Sequence, residues 1–181
     1  MAKQFESWVH GYAAVAEWMG TDRLQSAVDP TRSPPEPDFV PAFSEVNGWR
    51  RACGAFFRLV PHRDNWFHIA IPTPVLVEDR RAGLDRVMAL FRIDNGFLQR
   101  VLVFDGPNPI FDSASTLGAL HVSGDQLRGR VDNANVFHVD HDGINSGIGF
   151  SLNFSASQDP QDQAPADLYI ASAGGIFFHN I

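Results

Sequence analysis

Residues Ile148 to Phe154, IGFSLNF, alternate strictly. Ile148, Phe150, Leu152 and Phe154 point one way; Gly149, Ser151 and Asn153 point the other. A period of two marks a half-buried β-strand, because successive side chains leave a pleated backbone on opposite faces. The pattern recurs along the chain. In Asn65 to Val77, NWFHIAIPTPVLV, Phe67, Ile69 and Ile71 share one face, and Trp66, His68 and Ala70 the other. Pro72 and Pro74 cannot donate to a ladder, so they mark an edge or the strand's end. Leu84 to Ile93 places Val87, Ala89, Phe91 and Ile93 together. Asp94-Asn95-Gly96 is a hairpin signal that would join this strand to Leu98 to Phe104. Trp49 to Val60 reads as a further strand. Shorter ones are predicted near Leu117 to Val122, Gln126 to Val131 and Asn135 to Asp140, and a last one at Asp167 to Ser172.

Glycine, proline and Asn/Asp turns separate these strands, and no long amphipathic helix lies between them, which argues against a βαβ sheet. The predicted fold class is all-β: a mostly antiparallel β-sandwich, with a jelly-roll-like arrangement among its forms. Residues 1–181 read as one domain. A proline-rich insertion interrupts it near the N-terminus, at Asp29 to Pro41, DPTRSPPEPDFVP, where five prolines dictate an extended connector. Ser155 to Asp167, SASQDPQDQAPAD, reads as a polar surface loop. Ser7 to Met19 fits helix and strand about equally on its own residues.

Composition supports this reading and excludes several function classes. Fifteen phenylalanines and four tryptophans suit an aromatic β core. A net charge of −7 argues against nucleic-acid binding, which needs a basic face. The one cysteine, Cys53, excludes an internal disulfide, a four-cysteine zinc site and a CxxC redox pair, and reads as a small core residue. No apolar run approaches the ~18 residues of a membrane span. The start, MAKQFESWVHGY, lacks the basic and apolar regions of a signal peptide, so a cytoplasmic location is expected.

Four stretches carry a family resemblance: Asn65 to Val75, NWFHIAIPTPV; Val101 to Ile110, VLVFDGPNPI; Ser172-Ala173-Gly174-Gly175; and His10 to Glu17, HGYAAVAE. The chain resembles a family of uncharacterised microbial β-rich proteins with a W-F-H-I-x-I-P-T-P-V motif, an H-V-Y-D-G-P-like strand and loop, and a closing S-A-G-A-like strand. The resemblance covers most of the chain outside the proline-rich connector. Ala70 stands where that pattern has proline, and Leu102 where it has histidine. The resemblance implies the β fold and a strand at His10 to Trp18. It brings no established activity and transfers no catalytic residue.

The residues suited to chemistry are few. His138-Val139-Asp140-His141-Asp142 is the densest group of metal-type ligands. On a strand, His138 and Asp140 share a face and His141 points away; a turn at His141 would let all three converge. The plain alternative is a solvated strand end. Asp140 to Gly143 resembles the start of a calcium loop, but its glycine arrives too early and the terminal glutamate is missing. His68 sits beside Trp66 and could bind or protonate a ligand, or serve as a structural histidine. Asp105 could line a site at one end of the sandwich or cap a turn. No Gly-x-Ser-x-Gly elbow occurs, and Gly143 to Gly149 lacks the P-loop lysine.

The ligand-binding candidates are therefore Trp66, His68, Asp105, His138, Asp140 and His141, with His138, Asp140 and His141 as the metal candidates; no cofactor is specified. The leading functional reading is a non-catalytic β-sandwich module that binds a small molecule, a glycan or a protein. A metal-dependent enzyme using a subset of His68, His121, His138, Asp140 and His141 is the alternative. A structural or assembly subunit, oligomerising through sheet edges and the C-terminal GGIFFHNI, is the third.

Overall fold

The computed structural model describes residues 3–18, 23–25, 49–51, 54–77, 79–128, 134–159 and 161–179. The proline-rich connector and Cys53 lie outside the described residues. In chain order the strands are β1 (Lys3–His10), β2 (Val15–Ala16), β3 (Leu24–Gln25), β4 (Trp49–Arg51), β5 (Gly54–Leu59), β6 (Asp64–Ile71), β7 (Leu76–Val77), β8 (Arg80–Arg81), β9 (Gly83–Asp105), β10 (Asn108–Asp112), β11 (Val122–Gln126), β12 (Val136–His141), β13 (Ile148–Ala156) and β14 (Ala166–His179). One 3-10 turn, Gly11–Ala13, and one helical turn, Ser113–Thr116, complete the described elements. Every strand pairing among the described residues is antiparallel. The protein is all-β, as its alternation predicts.

The organising element is β9, which runs for 23 residues. Its first half pairs with β14, from Phe178 opposite Gly83 to Asp167 opposite Asp94. Its second half pairs with β13, from Ala156 opposite Gly96 to Ile148 opposite Asp105. β13 and β14 thus lie end to end along one flank of β9. The next row repeats this arrangement: β6 pairs with β13, and β5 with β14. One line crosses all three rows: β9 bends at Asp94-Asn95-Gly96, β13 ends at Ala156 and β14 begins at Ala166, and residues 60–63 separate β5 from β6. Along that line the sheet folds over, and its halves become the two facing layers of a sandwich.

Contacts between phenylalanines hold the layers together. Phe91 of the first half of β9 meets Phe154 of β13 edge to face, ring centres 4.9 Å apart. Phe57 of β5 meets Phe67 of β6 at 4.6 Å, although three strands separate β5 from β6 in the sheet order. All four rings are buried. Each such ring contributes roughly 1.5–3 kcal/mol by burial, and the edge-on Phe91–Phe154 geometry adds to that. Asp94-Asn95-Gly96 therefore bends the strand instead of reversing it, which corrects the hairpin expectation. Its residues are still turn-like: Asn95 takes φ of 61°, a left-handed conformation that asparagine tolerates. The Asn95 side-chain amide donates to the Ala164 carbonyl, and the Asn95 backbone carbonyl accepts from Ser157 N–H, so the bend is tied to the polar loop.

The N-terminal segment crosses between the layers. β1 pairs with β14 in one layer, and β2 pairs with β6 in the other. The crossing is the 3-10 turn at Gly11–Ala13, so the strand expected over His10 to Trp18 is interrupted there. Other expectations are also adjusted. β4 pairs antiparallel with β5, so the described residues of Trp49 to Val60 form two strands and not one. Residues 117–121 are irregular, because a helical turn and loop precede β11. β14 continues to His179, beyond the predicted end at Ser172, because β1 and β9 pair with its extension.

Two substitutions test this architecture by urea denaturation. A β-branched side chain is strained at positive φ, so Asn95→Val should lower stability by about 2 kcal/mol and Asn95→Gly by clearly less. At Gly11, an added Cβ would lie 1.9 Å from the Ile170 carbonyl oxygen, which forces the crossing segment off β14. Gly11→Ala should therefore cost about 3 kcal/mol.

Candidate functional site

The fold places three short residues in a row on the outer surface of one layer. On β13 the outward positions are Gly149, Ser151 and Asn153. Pairing sets Ala70, His68 and Trp66 of β6 on one side of them and Phe104, Leu102 and Arg100 of β9 on the other. Short side chains between longer ones make a trough along β13. Ser151 is 5% exposed and Asn153 2%, so both form its floor although they face away from the core.

One end of the trough is mainly apolar. It is a cleft of about 460 Å³ lined by Val15, Ala70, Phe104 and Gly149, with His68 and Ser151 as its polar groups. His68 Nδ1 lies 2.9 Å from Ser151 Oγ, and His68 Nε2 lies 3.7 Å from Glu17 Oε2. The order Ser–His–Glu resembles a hydrolytic triad. However, Ser151 lies mid-strand, with ladders to β6 and β9 on both sides. Those ladders take the neighbouring backbone N–H groups that an oxyanion hole would need. The row is suited to holding a polar ligand group.

The other end is polar and aromatic. It is a cleft of about 560 Å³ whose lining includes Trp66, Phe97, Gln99, Arg100, His121 and Asn153. A bulge at Gln99 shifts the β9 register, with Arg100 opposite Asn153 and Leu98 opposite Phe154. The bulge turns Gln99 toward Asn153, and Gln99 Nε2 donates to Asn153 Oδ1. Asn153 Nδ2 donates to Asp64 Oδ2 at 3.0 Å, and Arg23 donates to Asp64 Oδ1 at 2.7 Å. This chain of bonds fixes both amides. Arg100 makes a two-pronged pair with Asp112, at 3.0 and 2.6 Å. The Arg100 hydrogen bond is the main cause holding the Asp112 carboxyl below its usual range. Phe97 and His121 stack at 4.0 Å across the same cleft.

The remaining sequence candidates lie elsewhere. His138 and Asp140 come together with Asp85, whose role the sequence pattern did not signal, and one donor atom from each lies within 4.8 Å of the others. Arg86 already pairs with Asp85 at 2.6 Å, and His138 and Asp140 are exposed, so the group is satisfied as a surface charge cluster. His141 does not join it. A register shift between His138 and His141 sends His141 toward Asp105, with Nε2 3.6 Å from Oδ2.

Asp105 is 2% exposed and caps a loop instead of facing a ligand. It accepts from the backbone N–H of Asn145 at 2.7 Å and of Ser146 at 2.8 Å, and from the Asn145 side chain. Burial pushes its carboxyl up, but these bonds and His141 outweigh burial and hold it below the usual range. A lowered folded-state value stabilises above the unfolded value, about 3.9, and that stability disappears as pH falls through the folded value. The protein should therefore lose stability on acidification below about pH 4, and Asp105→Asn should flatten that dependence while lowering stability at neutral pH. Urea titrations at several pH values measure both effects.

No family model and no curated protein matches the chain. Among solved structures, the tandem CBM51 modules of Sp3GH98, the family 98 glycoside hydrolase from Streptococcus pneumoniae SP3-BS71, are similar to it with a TM-score of 0.36 and 12% identity. That match covers 96% of this chain and 47% of the other, so the chain spans about half the length of that structure. No described helix is long and apolar enough to cross a membrane.

Proposed function

We propose that the chain is a non-catalytic binding module and that its ligand is a glycan lying along the β13 trough. The observation that carries this reading is the pairing of Trp66 with two immobilised amides, Gln99 and Asn153, on one cleft wall and floor. A sugar ring presents an apolar C–H face and a rim of hydroxyls. An aromatic ring suits the first, and planar amide and guanidinium groups, fixed in advance, suit the second. Gln99 gives its Nε2 to Asn153, which leaves Oε1 to accept from a hydroxyl. Because Asp64 and Arg23 hold the amides in place, little side-chain freedom is lost on binding. The apolar end of the trough, at Val15 and Phe104, gives a longer ligand a second contact.

Calorimetric titration with a panel of neutral and acidic oligosaccharides tests the reading. At least one should bind saturably, and Trp66→Ala should weaken it by about tenfold or more, equivalent to roughly 1.4 kcal/mol. Equal binding by the parent and Trp66→Ala, or no binding across the panel, would overturn it.

A further inference from the structure

We infer that the ligand is a neutral sugar chain bound along its length, with a second sugar subsite where the sheet folds over. This inference rests on the glycan reading and extends it. Three clefts follow one another along β13 and the residues after it. The first, of about 460 Å³, includes Gly149 and Ser151. The second, of about 560 Å³, includes Asn153. The third, of about 750 Å³, includes Ser157, Gln158 and Asp159. The second and third share Phe97 and His121, so they adjoin at that stacked pair. From Gly149 to the end of β13 at Ala156 the strand rises about 23 Å, several times the width of one sugar ring.

The third cleft repeats the chemistry of the second. Ser155 continues the outward row of β13, yet it is fully buried, with the Gln158 side chain laid against it. Gln158 Nε2 donates to Ser155 Oγ at 2.6 Å and to the Ala156 carbonyl at 3.0 Å. These bonds commit both amide protons and leave Oε1 to accept from a hydroxyl, as at Gln99. Pairing sets Phe97 of β9 directly beside Ser155, and His121 stacks on that ring. An aromatic surface and a fixed amide therefore stand together again, as Trp66 stands with Gln99 and Asn153. Gln158 is exposed, but its two bonds hold it against the strand, so little side-chain freedom is lost when a ligand meets it.

Charge sets the class of sugar. Asp94 and Asp159 line the third cleft, and among the described residues lining it there is no arginine or lysine. A carboxylate accepts from sugar hydroxyls and repels a uronate or a sulfate. The net charge of −7 adds to that repulsion.

The test is calorimetric titration of the full chain with linear oligomers of glucose, mannose and galactose, each from one unit to six. The hexamer of the preferred sugar should bind about tenfold tighter than its dimer, or more. A site confined to the Trp66 cleft would gain only the number of registers that a longer chain offers, and that gain would survive Gln158→Ala. Here Gln158→Ala should weaken the hexamer about fivefold, through the loss of one hydrogen-bonding group, and leave the dimer unchanged. Gln158 lies on the surface, so this variant keeps the fold. The same hexamer oxidised at C6 to the uronate chain should bind about tenfold more weakly. Equal affinity of dimer and hexamer, a hexamer indifferent to Gln158→Ala, or an oxidised hexamer that binds as tightly would each overturn this inference and leave the glycan reading standing. Binding by acidic oligomers alone would overturn it in the same way. No binding by any oligomer would overturn the glycan reading with it.

Discussion

Packing of Phe91 edge-on against Phe154, and of Phe57 at a tilt against Phe67, is the interaction on which the rest of this structure depends. These rings belong to opposite halves of one sheet. Without them there would be no reason for a 23-residue strand to bend in its middle, since every ladder bond could be made equally well in a flat sheet. Burying the rings folds the sheet, and folding requires each row to break or bend on the same line. Asn95, with its left-handed backbone and its bond to Ala164, absorbs that bend in β9. The neighbouring rows meet the same requirement by ending their strands there, β5 at Leu59 and β13 at Ala156.

The trough along β13, the face proposed to bind, follows from this arrangement. Once the large side chains of β13 are committed to the interior as Ile148, Phe150, Leu152 and Phe154, its outward positions can be small and polar. Central placement between β6 and β9 then gives these positions walls. A trough with a rigid floor results, because β13 cannot move without breaking two ladders. The same rigidity that argues against an oxyanion hole at Ser151 favours recognition, since pre-positioned amides lose little freedom when a ligand arrives.

Much of this was legible in the sequence, for a physical reason. Period-two alternation reports burial directly, so Phe67, Ile69 and Ile71 were assigned inward, and Trp66 and His68 outward, without knowing what they pack against. Ser151 and Asn153 were visible as the polar half of the β13 pattern. Gln99 was not, because its direction depends on a bulge, and a bulge is set by the partner strand. The Asp94-Asn95-Gly96 signal reported the local dihedral correctly and the topology wrongly. Turn residues specify where the backbone can kink, and tertiary packing decides whether the chain reverses or only bends. His138, Asp140 and His141 are neighbours along the chain, but a register shift sends His141 away toward Asp105, while Asp85 of the neighbouring strand joins His138 and Asp140.

The central claim is that the outer face of β13 recognises a glycan. Backbone amide shift mapping with the tightest-binding oligosaccharide examines that claim most directly, because it locates the ligand without altering the protein. The account predicts perturbations concentrated at Trp66, His68, Gln99, Arg100, Ser151 and Asn153, together with the Trp66 indole N–H. Perturbations clustered on another surface, or none with any oligosaccharide, would contradict it.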